Sequence, residues 1–194
     1  MENINTKEYW DNRFNTNWEL LNGLNQTKDF MECILNSLPV YLKKVFSSNN
    51  VTIADIGCGI ATGSEVIKNT FPNADVTGID FSEVALNKNK EMFKEINFRD
   101  ELDEYYDICI SSNVLEHTDD PMNELKNILN HSNKYAIILV PYKEQLGDIE
   151  EHIHSFDDDS FPKTINDFKL SFTKIVKTKF WMWEQLLLVY RKGK

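Results

Sequence analysis

The sequence predicts an α/β fold, a mostly parallel sheet of about seven strands closed by an antiparallel C-terminal hairpin, with helices on both faces. Three observations carry this. Short apolar runs at 51–55, 75–79, 106–111 and 135–140 alternate with helical segments at 63–70, 83–93 and 121–129. That is the rhythm of strand–helix–strand units, whose parallel strands are covered on both faces and read as nearly continuous apolar stretches. Two β-rich runs at 172–180 and 184–190 are separated by only a few residues, which suits a hairpin. No repeat, low-complexity tract or linker divides the 194 residues, so a single domain with one core is expected over 1–194.

The first 48 residues stand apart. Tyr9, Trp10 and Phe14 recur at helical spacing, a polar stretch follows at 15–26, and Phe30, Ile34, Leu35 and Leu38 form a second apolar stripe. These helices have no place in the sheet, so 1–48 is expected to cover a core at 49–194 as a lid. At 41% hydrophobic and 27% charged, the composition is that of a soluble globular protein. No apolar run approaches the roughly 20 residues a membrane span needs, and the polar N-terminus lacks a signal-peptide pattern. Cys33, Cys58 and Cys109 form no CxxC pair and are odd in number, which suggests reduced thiols in a cytoplasm. The net charge of -10 opposes nucleic acid as a partner. Lys163, Lys169, Lys174, Lys177 and Lys179 read as solvated lysines that blunt edge strands. The expected partner is a small molecule; on oligomeric state the sequence is silent.

Chemistry concentrates after the first strand. In Val51-Thr-Ile-Ala-Asp-Ile-Gly-Cys-Gly-Ile-Ala-Thr-Gly63 a buried strand runs into a turn with three glycines and then a helix. Glycine permits tight geometry and lets a ligand approach the backbone closely. The next strand, Val76-Thr-Gly-Ile-Asp80, ends in a carboxylate placed to accept hydrogen bonds from both hydroxyls of a ribose. The spacing of Gly57, Gly59 and Gly63 is wider at its end than Gly-x-Gly-x-x-Gly, and Asp55 would crowd a pyrophosphate but welcome an ammonium group. A nucleoside that carries an amino acid fits these residues better than a dinucleotide.

Asp55-Ile-Gly-Cys-Gly59 resembles the first motif of class I S-adenosylmethionine (SAM) dependent methyltransferases, and Gly78-Ile-Asp-Phe-Ser82 their second. Phe98-Arg-Asp-Glu-Leu102 is similar to the third, whose acid maps to Asp100. Tyr106 to His117, followed by Asp120-Pro121, resembles the fourth strand and its loop. The family usually has a glycine where this chain has Ala61. The resemblance implies a Rossmann-like sheet and SAM as cofactor. It assigns Asp55, Gly57, Cys58, Gly59, Asp80, Phe81, Asp100, Glu101, Leu102, Ser112 and Asn113 to the cofactor. Pro141-Tyr-Lys-Glu144, Glu151-His152 and Ser155-Phe156-Asp157, with the opening Glu8-Tyr-Trp-Asp-Asn-Arg-Phe14, resemble a bacterial branch that acts on sugars, lipid headgroups and other small metabolites. Fold-level analogy does not settle an acceptor.

Methyl transfer asks mainly for alignment, because the sulfonium of SAM is already an activated leaving group. A hydroxyl or ammonium acceptor must also lose a proton, which suits a nearby His or carboxylate. His152 is the favoured base, with Glu116 and His117 as alternatives. Tyr9, Trp10, Arg13, Tyr142, Glu144 and His154 are candidate acceptor contacts. His152 and His154 with Asp157, Asp158 and Asp159 could supply metal ligands. A solvated acidic loop that starts a helix is the favoured reading, so no metal is expected. Trp181 and Trp183 could stack an acceptor, though sheet packing or a hairpin tip is favoured. Two rivals remain: a nicotinamide-dependent oxidoreductase and a SAM-binding regulatory subunit without acceptor chemistry.

Overall fold

A computed structural model describes residues 4–193. The strands β1 (Thr52–Ile56), β2 (Asp75–Ile79), β3 (Asn97–Arg99), β4 (Tyr106–Ser112), β5 (Ser132–Pro141), β6 (Thr164–Ile165), β7 (Phe168–Val176) and β8 (Gln185–Lys192) form one sheet in the order β3-β2-β1-β4-β5-β8-β7-β6. The first five are parallel, whereas β8, β7 and β6 run antiparallel. Seven strands and the hairpin follow the sequence reading, and the two-residue β6 is an eighth at the edge. The hairpin strands end earlier and later than the composition suggests, leaving 177–184 as a loop. The reason is pairing: β8 inserts between β5 and β7, with Ile137 opposite Val189 and Leu139 opposite Leu187, and stays in register to Gln185.

Alternation along each strand divides the core between two faces. Ile53, Ile108, Ile110 and Ile137 face one layer, where helices α2 (Gly23–Ser37) and α3 (Val40–Phe46) contribute Ile34, Leu35, Leu42 and Phe46. Helix α4 (Thr62–Thr70) packs there through Ile67. Ala54, Cys109, Ala136 and Ile138 face the other layer, against Leu125, Ile128 and Leu129 of α6 (Pro121–Asn130). Each fully buried Leu or Ile stabilises the fold by about 1.5–3 kcal/mol relative to exposure, so these stripes dock the helices. The remaining helices are α1 (Lys7–Thr16) and α5 (Glu83–Met92). Local chemistry sets helix starts: Thr6 accepts from the Tyr9 amide of α1, Ser82 from the Ala85 amide of α5, and Asp120 from the Asn123 amide of α6 beside Pro121.

One expectation meets a different outcome. Asp157–Asp159 do not begin a helix. Asp157 accepts from the Asp159 amide and the Ser160 hydroxyl, closing a turn with no apolar stripe behind it to sustain a helix. The C-terminal lysines form no common patch: Lys177 lies 3.6 Å from Glu184, and Lys179 lies near Asp29 and Glu32. The three cysteines are free, with Cys58 and Cys109 buried. Among the described residues, no helix is long and apolar enough to cross a membrane.

Candidate active site

The strand order reverses direction between β1 and β4, and a crevice opens outside their carboxyl ends, where α/β sheets hold ligands. The turn after β1 is pinned by β2: the amides of Gly57 and Cys58 both donate to the Ile79 carbonyl, at 2.8 and 3.0 Å. Gly57 and Gly59 adopt φ of +70° and +50°. A Cβ on Gly57 would lie 2.4 Å from Val114 Cγ2, and one on Gly59 would lie 3.1 Å from the Phe14 ring. Side chains are excluded here by both backbone conformation and space. Asp80, just after β2, accepts from the Gly59 amide at 2.8 Å and the Ser82 amide at 2.9 Å. Burial pushes its carboxyl up, and these two amides oppose that shift. Each carboxylate oxygen keeps a further lone pair.

Gly57, Cys58, Gly59, Asp80, Phe81, Ser112 and Asn113 line one cavity of about 580 Å³. Trp10, Arg13, His117 and His152 line it too, so the structure brings eleven of the residues singled out in the sequence to one wall set. The others lie elsewhere. Asp55 stands behind the turn, where its carboxylate accepts from Ser64 Oγ of α4 at 2.6 Å, and burial raises it to about 6. Its place follows from alternation, which puts it on the face of Ile53 under α4. Asp100 and Glu101 are exposed beyond β3, and Leu102 packs on the α6 layer, because β3 ends at Arg99 and the chain turns outward. Tyr142 donates to Asp158, and His154 stacks near Phe156, both off the cavity wall.

Helix α1 is tied across the crevice at several points. Tyr9 donates to Glu151 Oε1 at 2.6 Å, and Arg13 pairs with the same oxygen at 3.0 Å. Burial raises the Tyr9 phenol to about 12, helped by its bond to Glu151. Burial also works against the Glu151 charge, yet the Tyr9 hydroxyl and the Arg13 guanidinium bring its carboxyl below the usual value. Lys88 of α5 donates to the Phe14 carbonyl at 2.7 Å, and Asp11 accepts from Ser82 Oγ. Phe14, Trp10 and Trp18 form an aromatic cluster over the glycine turn.

A cluster of titratable groups reaches the same cavity through His117 and His152. A 3-10 turn, Leu115–His117, follows β4 and carries Glu116 and His117. His152 meets them from the loop after β5, its ring 4.8 Å from that of His117. His152 Nδ1 lies 2.7 Å from Glu144 Oε2, and His117 Nδ1 lies 3.0 Å from the Glu151 carbonyl. Burial drives both imidazoles down to about 4, Glu144 up to about 7 and Glu116 up to about 8. Trp10 meets the His117 ring edge-on at 5.2 Å, and Trp181 covers His152 at 5.5 Å. Trp181 therefore belongs to the cavity wall. With its amide turned to satisfy its neighbours, buried Gln185 accepts from Trp181 Nε1 at 3.2 Å and donates to Asn113 Oδ1 at 3.0 Å. Glu151 enters the sequence reading only through the Glu151-His152 resemblance, with no role assigned, and Gln185 not at all, since their partners come from distant segments. For Trp181 the less favoured sequence reading, an aromatic near the acceptor rather than sheet packing or a hairpin tip, matches its place on the wall.

Residues 54–135 match the family described as a methyltransferase domain. A malonyl-[acyl-carrier protein] O-methyltransferase from Bacillus anthracis is 31% identical over 113 residues, 54% of this chain and 42% of that protein. The chain thus spans less than half the length of this curated relative. In fold it is similar to magnesium protoporphyrin IX methyltransferase from Synechocystis PCC 6803 with bound S-adenosylhomocysteine (SAH), with a TM-score of 0.72 at 15% identity over 96% and 98% of the two chains. It is also similar to the plantazolicin methyltransferase BpumL in complex with SAH, with a TM-score of 0.67 at 17% identity over 98% and 96%. These matches show a segment similar to a methyltransferase domain over residues 54–135, set in the fold of SAM-dependent methyltransferases.

Proposed function

We propose that this protein transfers a methyl group from SAM to an oxygen or nitrogen atom of a small acceptor. One observation carries the reading. The Gly57–Gly59 turn with Asp80, and His117 with His152, line the same cavity, and Glu116 is buried beside the two histidines. The first set suits a nucleoside, with Asp80 receiving ribose hydroxyls and Phe81 offering an aromatic face. The second set suits the acceptor and its proton. SAM supplies a methyl on an activated sulfonium: its S–CH₃ bond breaks as the O–CH₃ or N–CH₃ bond forms, leaving SAH. The acceptor proton passes to the cluster, where Glu144 fixes the His152 ring by Nδ1 and leaves Nε2 to receive it. Trp10, Trp181 and α1 hold the reacting groups together and keep water out.

Calorimetry tests the reading directly. SAH is expected to bind with one site per chain and NAD not at all; tight NAD binding with no SAH binding overturns it. Transfer of labelled methyl from SAM then identifies the acceptor in a screen of sugars, phosphorylated amines and lipid headgroups. A malonyl thioester joins that screen because of the Bacillus relative. SAH binding with no transfer to any acceptor class returns the regulatory-subunit reading.

The contacts of α1 give a second expected result. Tyr9 and Arg13 bond Glu151, Asp11 and the Phe14 carbonyl bond Ser82 and Lys88, and the Phe14 ring covers the glycine turn, so a ligand beneath α1 adds to what must break before the helix opens. Trypsin cleavage after Lys7 and Arg13 is expected to slow several-fold when SAH is added. Equal rates with and without SAH would show that α1 is a fixed wall rather than a lid.

A further inference from the structure

The cluster at the acceptor end has the hydrogen bonding of a metal site. Ligand-capable atoms of Glu116, His117 and His152 lie within 4.8 Å of one another. Both imidazoles have Nδ1 engaged by an oxygen, Glu144 Oε2 for His152 and the Glu151 carbonyl for His117. This holds each ring in place and leaves each Nε2 without a protein partner among the described residues. A carboxylate or carbonyl on the far nitrogen is how metal-bound histidines are oriented and made more basic. Glu116 supplies the independent observation: its side chain is 0% exposed, and neither carboxyl oxygen has a hydrogen-bond partner. An ionised carboxylate buried without a counterion is costly, and a protonated one leaves its O–H donor unmade. Neither state is satisfied by the protein around it, whereas a cation among the three side chains satisfies it.

We propose that Glu116, His117 and His152 bind one divalent transition-metal ion of the zinc or cobalt class, with Glu144 and the Glu151 carbonyl orienting the two imidazoles. Two imidazole nitrogens and one carboxylate oxygen favour such ions over calcium or magnesium. Three protein ligands with a side open to the cavity are the composition of a catalytic site, since structural zinc sites close with four. Ligand atoms that share an ion at about 2.1 Å stand roughly 3.5 Å apart, so the cluster contracts by about 1 Å on binding. The binding itself is independent of the proposed transferase activity. Its role rests on that reading: an ion here would lower the pKa of an acceptor hydroxyl so that its proton is lost to solvent water as the acceptor binds, and His152 would then act as its ligand and not as the base.

The test uses the whole chain, stripped with EDTA and dialysed against Zn²⁺, with metal measured by elemental analysis and Co²⁺ followed by its visible spectrum. One equivalent of Zn²⁺ per chain is expected, with the absorption of low-coordinate Co²⁺. Glu116→Gln and His117→Ala are expected to weaken Zn²⁺ binding by about 10²-fold or more, and Glu144→Gln by about 10–100-fold. His131→Ala, at the opposite end of β5, leaves it unchanged. SAH binding by each variant reports that the fold survives. Absence of stoichiometric Zn²⁺ binding by the wild-type chain overturns the proposal. So does binding that persists in a folded His117→Ala/His152→Ala double variant. Zn²⁺ binding by a chain that fails to bind SAH would instead leave this site standing and remove the proposed function.

Discussion

His152→Ala is expected to lower the rate of methyl transfer by about 10²-fold or more while leaving SAH affinity within about twofold. The magnitude is that of losing a positioned proton acceptor. The separation of rate from binding follows from contacts, since His152 packs against His117 and Trp181 and bonds Glu144, whereas Asp80 bonds the glycine turn. His152→Gln fills more of the space left under Trp181 and is expected to show the same loss, which separates chemistry from packing. Glu144→Gln removes the charge that holds Nδ1 and is expected to cost kcat more than KM, as a positioning residue should. Loss of bound Zn²⁺ in the same variants assigns the effect to the ion. Retained rate in both His152 variants would leave alignment alone as sufficient, or move the proton to Glu116 or His117.

Asp80→Ala is expected to weaken SAH binding by about 1.5–3 kcal/mol, roughly 10–150-fold, as for lost hydrogen bonds to a charged group. The structure adds a second effect. The carboxylate also receives the Gly59 and Ser82 amides, so its removal leaves two buried donors without partners and loosens the turn. Thermal unfolding of the protein without SAH is therefore expected to fall as well. Asp80→Asn keeps an oxygen for one amide and is expected to lose less stability than affinity. Unchanged SAH affinity in a folded Asp80→Ala protein would take Asp80 out of the binding site.

The sequence by itself determined the parallel sheet, the hairpin and the glycine turn, because each rests on local physics. Apolar runs of strand length, helical stripes such as Ile34–Leu35–Leu38, and glycines at φ of +70° and +50° leave a record within a few residues. The three-residue β3 left almost none. Only the tertiary structure decided which polar groups meet. Alternation turned Asp55 away from the crevice to Ser64, a fact latent in its spacing from Ile53 but settled only when α4 packed there. Glu151 became the anchor of α1, and Gln185 the support of Trp181 and Asn113, through contacts between segments far apart in the chain. Glu116 reads in the sequence as a loop acid, yet it is buried without a partner beside two histidines. Hydrophobic burial is non-directional and shows as a pattern along the chain, whereas hydrogen bonds and metal ligands need distances that only the packed strands and loops set.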